Sequence, residues 1–198
     1  MNTKVKFIYS QEREIERLYN LLFNYQWFVD NNFPIETPSF LKRLGKKGKK
    51  ETCRQIKLEL DKVDNKENKI QKVKIITAKW KQAEKPFFDS LEKYNLKNQK
   101  EYSCYLCSFG PQGQFQTPNI IYIRIKKKKD IREINETIAH ELIHLMVYDR
   151  IKNMDFEQKE GIIDMFFVRT NLKNIFPNYK VQSMAKCDKR LFDKIINY

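Results

Sequence analysis

Both histidines of this 198-residue chain lie four residues apart, in the segment His140-Glu-Leu-Ile-His144. This spacing constrains the fold more than any other feature, because residues i and i+4 lie one turn apart on the same face of an α-helix. Apolar residues recur at helical spacing here and predict a helix over 131–150 whose other face carries the histidines. Asp130 stands at the predicted N-cap and Glu133 at position N3. The stripe expected to face the core is Ile131, Ile134, Ile138, Leu142 and Leu145.

A His-Glu-x-x-His pattern on a helix is typical of a catalytic zinc site. Both imidazoles can reach one tetrahedral Zn²⁺, and the glutamate next to the first histidine can then take a proton from zinc-bound water. The pattern predicts His140 and His144 as ligands of a single catalytic zinc ion and Glu141 as the general base. A third protein ligand is needed, and since the chain has no third histidine it must be a carboxylate or a thiolate.

A second helix, predicted over 156–167, offers carboxylates for the third position. Glu160 and Asp164 lie four residues apart and share one face of that helix. Glu160 can bind the metal while Asp164 accepts a hydrogen bond from the non-ligating nitrogen of a zinc-bound histidine, which fixes the tautomer of the ring. Glu157 lies on nearly the same face and is the alternative ligand. The presence of Asp164 favours Glu160 over it.

With Glu160-x-x-x-Asp164 placed sixteen residues after His144, the pattern resembles the gluzincin branch of zinc metallopeptidases, to which thermolysin belongs. The resemblance spans residues 119–167. It implies an α+β, zincin-like fold, in which a small mixed sheet with an edge strand lies over an active-site helix and a glutamate-bearing helix. It implies the same ligands and general base, one Zn²⁺ ion, and hydrolysis of peptide bonds in a peptide or protein substrate.

The resemblance also implies a substrate-binding strand and an oxyanion donor. It makes 119–125 the edge strand, which would pair with an extended peptide by β-augmentation. The residues implied on that strand are Asn119, Ile121 and Tyr122. Thermolysin-like enzymes use a downstream histidine or tyrosine to stabilise the oxyanion. Because this chain has no spare histidine, the candidates are Tyr179 and Tyr148.

Other strands and helices follow from local patterns. Residues 4–9 predict a short strand, and Ser10 is a suitable N-cap for the helix that follows. Residues 101–110 predict another strand, expected to form a hairpin with 119–125. Two further segments are less uniform: 51–65 fits either a helix or a strand, and 69–95 predicts a helix interrupted near Pro86.

The chain length suits one domain over 1–198. Within it we distinguish an N-terminal region, 1–100, of unassigned role; a zincin catalytic core, 101–171; and a C-terminal segment, 172–198. The N-terminal region contains a basic loop at 42–50.

Positive charge is the second conspicuous property of the chain. It has 39 Lys and Arg against 25 Asp and Glu, a formal net charge of +14. Two lysine-rich runs, 42–50 and Lys126–Lys129, fit either solvated turns or arms in weak contact with a polyanion. The alternative hypothesis is therefore a basic nucleic-acid-associated binding protein with a structural or degenerate zinc site. No helix-turn-helix, zinc-finger or RNA-recognition signature accompanies the charge.

The cysteines and the apolar runs bear on the compartment. Four cysteines in a chain of this length, without a secretion signal, are expected to be reduced thiols. Cys104 and Cys107 fall in a predicted strand, where residues i and i+3 point to opposite faces, so we expect buried ordinary thiols rather than a metal or redox site. No apolar run approaches the roughly 18 residues of a membrane-spanning helix. We expect a cytoplasmic protein that does not enter a membrane.

Overall fold

The structure is a computed structural model that describes residues 3–31, 33–45, 48–63, 66–125, 131, 133–182, 186 and 189–197. Its helices are α1 (Gln11–Asp30), α2 (Lys49–Val63), α3 (Lys66–Glu92), α4 (Ile134–Ile151), α5 (Phe156–Arg169), α6 (Leu172–Ile175) and α7 (Lys189–Ile196). Its strands are β1 (Lys4–Ile8), β2 (Ile35–Glu36), β3 (Glu101–Cys107), β4 (Gly110–Pro111), β5 (Gly113–Gln116) and β6 (Ile120–Arg124). The described fold is mixed α/β with a small mixed sheet, in agreement with the coarse part of the predicted class.

The main sheet has four strands in the order β1-β3-β6-β5. β3 runs parallel to β1 on one side and to β6 on the other. The expected hairpin between 101–110 and 119–125 is therefore wrong, because a tight turn joins only antiparallel strands. Between β3 and β6 the chain forms β4 and β5, and β5 pairs antiparallel with β6.

This strand order also corrects the predicted edge strand. β6 is paired with β3 and with β5, so Ile121 and Tyr122 lie on an interior strand and have no free edge to offer a peptide. Both are buried, and Asn119 precedes the strand and donates its side-chain N–H to the Glu101 carbonyl oxygen at 3.1 Å. The apolar, β-branched character of 119–125 reports burial on both faces rather than a position at the edge. The edge next to β6 is β5.

One face of the sheet is covered by α3 and α4. Helix α3 packs against β1, α4 packs against β5 and β6, and the two helices contact each other. The predicted interruption near Pro86 is wrong, since α3 continues through this residue. A proline inside a helix costs about 3 kcal/mol, but Phe87 and Leu91 beyond it are almost fully buried in the main core and favour the continued helix.

A second, smaller core joins the N-terminal helices. Ser10 caps α1 as predicted, its hydroxyl accepting a hydrogen bond from the Arg13 backbone N–H at 3.3 Å. The segment 51–65, which fits either a helix or a strand from its sequence, lies almost entirely in α2. Two of its buried residues, Ile56 and Leu60, lie four residues apart. They pack against residues of α1 and against Leu41 in the 3₁₀ turn that precedes α2.

Several sequence predictions fall wholly or partly outside the described residues. These are the run Lys126–Lys129, the N-cap Asp130, Cys187, and Lys46 and Lys47 of the basic loop. Glu133, predicted at position N3, is itself the N-cap of α4 and makes no capping side-chain hydrogen bond. Cys104 and Cys107 are buried free thiols, as predicted. Among the helices of the described ranges, none has both the length and the apolar character needed to span a bilayer.

Candidate metal centre

Helix α4 holds both histidines in the interior of the protein. It is buried around most of its circumference, and His140 and His144 are only 8% and 3% exposed. One turn of helix separates them, and their Nε2 atoms lie 3.1 Å apart. Two imidazole nitrogens therefore converge on one small volume beneath the sheet.

Helix α5 brings Glu160 to the same volume. The helix begins after Asp155, whose carboxylate accepts a hydrogen bond from the Gln158 backbone N–H at 2.8 Å. Glu160 Oε2 lies 3.1 Å from His140 Nε2, and Glu160 Oε1 lies 3.2 Å from His144 Nε2. The alternative ligand, Glu157, instead forms an ion pair with Lys186 nearer the surface. Of the two candidate glutamates, the structure brings Glu160 to the histidines.

The spacing of these three side chains fits a metal ion. Ligand atoms 2.0–2.1 Å from a tetrahedral zinc ion lie about 3.3 Å from one another. The two Nε2 atoms lie 3.1 Å apart, and each has a different Glu160 oxygen at 3.1–3.2 Å. Two imidazole nitrogens and one carboxylate are also a donor set that zinc accepts. The buried group His140, His144 and Glu160 could thus hold a metal ion.

The charges of the group favour an anionic glutamate. Burial alone would raise the pKa of Glu160, but hydrogen bonds from His140 and His144 hold that pKa far below its usual range. Burial lowers the pKa of His144. For His140 burial also acts downwards, yet the hydrogen bond to Glu160 and the nearby carboxylates raise its pKa overall. A metal cation bound here would therefore meet the negatively charged carboxylate of Glu160, in the place of the proton that the histidines now share with it.

Glu141 is buried against the edge strand. A Cβ atom added to Gly113 would lie 2.2 Å from Glu141 Oε1, so only glycine leaves room for the carboxylate at this point of β5. Burial raises the pKa of Glu141 to about 7. Two residues along the same face of the strand, the Phe115 ring stacks on the His144 ring with centroids 4.8 Å apart. β5 thus contacts both the predicted base and a predicted ligand.

Tyr179 lies behind His140, on the side away from Glu160. Its hydroxyl donates to Asp164 Oδ1 at 2.5 Å and lies 2.8 Å from His140 Nδ1. Because a carboxylate only accepts, the tyrosine oxygen is left to accept from the His140 Nδ1–H. A metal on Nε2 would leave the neutral ring with its proton on Nδ1, whereas without metal the bond to Glu160 places a proton on Nε2 as well. The Tyr179 ring also stacks on Phe167 with centroids 3.6 Å apart.

This geometry corrects two expectations. Asp164 reaches the predicted ligand His140 through the hydroxyl of Tyr179 rather than directly. Tyr179 occupies the Nδ1 side of the imidazole, so its position does not suit the predicted oxyanion donor. Tyr148, the other candidate, makes an edge contact with Phe115. Among the described residues, no hydrogen bond joins its hydroxyl to the histidines or Glu160.

Gln182, which no sequence pattern indicates, also reaches the site. Its backbone N–H donates to Asp164 Oδ2 at 2.8 Å. Its side-chain Nε2 donates to Glu160 Oε2 at 2.8 Å and lies 3.4 Å from His140 Nε2. The segment after α6 thus touches the candidate metal centre through both Tyr179 and Gln182.

A cleft of about 550 Å³ runs between α1 and the β4–β5 edge. Arg17 lines it and donates to the Pro111 carbonyl oxygen at 3.2 Å and to Gln114 Oε1 at 3.3 Å. Phe115 lines the same cleft and stacks on His144, so one side chain contacts both the cleft and the candidate metal centre.

Comparison with models of protein families, with curated proteins and with solved structures finds no match to this chain. Any inference about activity therefore depends on the chemistry of the site itself.

Proposed function

We propose that this protein is a zinc-dependent metallopeptidase of the gluzincin type with a zincin-like fold. One observation carries the proposal: His140 Nε2, His144 Nε2 and the Glu160 carboxylate converge in one buried group, each imidazole nitrogen 3.1–3.2 Å from a carboxylate oxygen, and zinc accepts this set of donors. The buried carboxylate of Glu141 follows His140 directly on the same helix. Both features also agree with the resemblance of the sequence to that branch of peptidases.

A zinc ion at this site would supply Lewis acidity, polarising a carbonyl group and lowering the pKa of water. The chain supplies the remaining functions. Glu141 accepts the proton of the attacking water and passes it to the amine that leaves. A nearby cation favours the carboxylate form of Glu141, the form that a base requires, and opposes the effect of burial on its pKa. Tyr179 and Asp164 hold His140 in the tautomer with an unprotonated Nε2.

The edge strand supports a peptide as the substrate. β5 is paired on one side only, so its other edge is available to an extended chain within the described sheet. A peptide bound there would lie beside Gly113 and Phe115, the residues in contact with Glu141 and His144. The cleft between α1 and β5 offers space for its side chains.

The proposal is tested with the purified protein and two variants. We expect about one equivalent of tightly bound zinc, measured by mass spectrometry of the metal, and cleavage of fluorescent casein or of a quenched-peptide library. Glu141→Gln should keep the zinc and lose cleavage, whereas His140→Ala should lose both. Less than about a tenth of an equivalent of zinc, together with an unaltered His140→Ala protein, would refute the metal site. Cleavage by Glu141→Gln would remove Glu141 from the role of base.

A further inference from the structure

We propose that Gln182 donates a hydrogen bond to the carbonyl oxygen of a ligand in the metal centre, which in the peptidase reaction is the scissile carbonyl of the substrate. The inference deepens the proposed function and rests on it for the identity of that ligand. The chain needs such a donor, because it has no spare histidine and the Tyr179 hydroxyl is engaged by Asp164 and His140.

Two hydrogen bonds fix the position of Gln182. Its backbone N–H is held by Asp164 Oδ2 and its carboxamide by Glu160 Oε2, each at 2.8 Å. Both carboxylates lie on α5, one turn apart, and both are buried. Since a carboxylate only accepts, the NH₂ group of the carboxamide, and not its oxygen, must face Glu160. The orientation of the amide is thereby set by chemistry.

The same NH₂ group has a second hydrogen to donate. Its nitrogen lies 3.4 Å from His140 Nε2, on the side of the imidazole that faces Glu160 and His144. A metal ion would take up the lone pair of His140 Nε2 and leave that second N–H without an acceptor there. A carbonyl oxygen entering the site is then the acceptor that the geometry favours.

A neutral amide suits this task. It donates a hydrogen bond without carrying a charge, and it is placed before the ligand arrives. Preorganised donors of this kind contribute about 10²–10³-fold to kcat when they contact an oxygen on which negative charge develops. Gln182 is also only partly buried, so a ligand can reach it.

The first experiment needs no substrate. Acetohydroxamate, a small carbonyl ligand of zinc, is titrated into the zinc-loaded full chain and into Gln182→Ala and Gln182→Glu. The control is Gln158→Ala, a glutamine two residues before Glu160 on α5 and therefore about 200° away from it around the helix. We expect both Gln182 variants to bind the probe about tenfold more weakly, with Gln158→Ala unchanged. The Kd for zinc of Gln182→Ala, measured against a chromophoric chelator, should rise about 10–100-fold because the bond to Glu160 is lost. The probe is therefore titrated with zinc well above that Kd.

Three results would overturn the inference. Unchanged probe affinity in Gln182→Ala would show that the amide does not contact the ligand. Tighter probe binding would show that the side chain obstructs the site or acts as a fourth ligand. Weaker probe binding that disappears once zinc is saturating would make Gln182 only a brace for Glu160.

A kinetic measurement separates this inference from the proposed function. With a peptide that the wild-type protein cleaves, Gln182→Ala should lower kcat about 10²–10³-fold and leave KM within about threefold. Cleavage at the wild-type rate by Gln182→Ala would refute the donor role and leave the peptidase standing. Probe binding that depends on Gln182, in a protein that cleaves no peptide, would refute the peptidase and support the donor role.

Discussion

Replacing Tyr179 by phenylalanine removes one oxygen atom from the hydrogen-bonded chain behind the candidate metal centre. The ring and its stacking on Phe167 remain, so the change is confined to the bonds with Asp164 and His140. We expect zinc to bind about 10–100-fold more weakly, with little change in the fold.

The magnitude follows from the two bonds that are lost. The bond to Asp164, 2.5 Å long, is absent from the variant both with and without zinc, so its loss largely cancels in the binding constant. The bond from His140 Nδ1, 2.8 Å long, does not cancel, because a metal on Nε2 polarises the ring and strengthens its N–H as a donor. A charge-assisted hydrogen bond contributes about 1.5–3 kcal/mol, which corresponds to about 10–100-fold in Kd.

The assay is a competition for zinc between the protein and a chromophoric chelator at constant pH. Tyr148→Phe is the matched control, since it also removes one tyrosine hydroxyl and lies on α4 one turn beyond His144. A Kd for Tyr179→Phe within twofold of the wild-type value would refute the reasoning. Equal weakening in both variants would do so too, because the effect could not then be assigned to the bond with His140.

Three further predictions concern Gly113, Glu141 and Glu14. Gly113→Ala should displace the Glu141 carboxylate and lower kcat about 10²-fold while the zinc Kd stays nearly constant. The control is Gly45→Ala, where an added Cβ meets nothing within 4 Å. An unchanged kcat in Gly113→Ala would contradict the prediction. The pKa of Glu141 is raised to about 7 by burial, so this carboxyl stabilises the folded protein below its unfolded pKa of about 4.5 and that contribution is lost as the pH rises through 7. Urea unfolding without metal should find Glu141→Gln more stable than wild type by about 3 kcal/mol at pH 8 and the difference should vanish near pH 4; a difference independent of pH would count against it. Glu14→Gln should cost about 3 kcal/mol in the same measurement, because Glu14 is the buried partner of Lys69 at 3.1 Å, and a cost below about 1 kcal/mol would show that the pair is not needed.

The sequence predicts those parts of the site that depend on local helical spacing. His140 and His144, and likewise Glu160 and Asp164, are four residues apart, and the regular geometry of a helix sets each pair side by side. Which faces of the two helices meet is a tertiary property, but the paired polar residues on otherwise apolar helices indicate it. The structure brings the histidines together with Glu160 at this face.

Other features depend on contacts that no local pattern reports. Tyr179 and Gln182 reach His140 across 39 and 42 residues, from a segment with no helical or strand period of its own. The position of a strand within a sheet is equally invisible. The segment 119–125 has the strongest strand pattern because it is apolar and buried, and this pattern does not distinguish an interior strand from an edge strand. The actual edge strand, β5, contains glycine and glutamine and gives only a weak strand signal. Gly113 marks the point where β5 approaches Glu141, but a glycine indicates such an approach only when the contact across the fold is known.

The contact of β5 with α4 has a thermodynamic consequence. Gly113 and Phe115 lie on one face of the strand and touch Glu141 and His144, so a peptide paired with the free edge of β5 would restrict the same side chains that receive the metal. Two ligands that order shared side chains are coupled, and the coupling is reciprocal. Zinc should therefore increase the affinity for an extended peptide by the same factor by which that peptide increases the affinity for zinc. Occupancy of the metal centre would then depend on the supply of peptide as well as on the supply of metal.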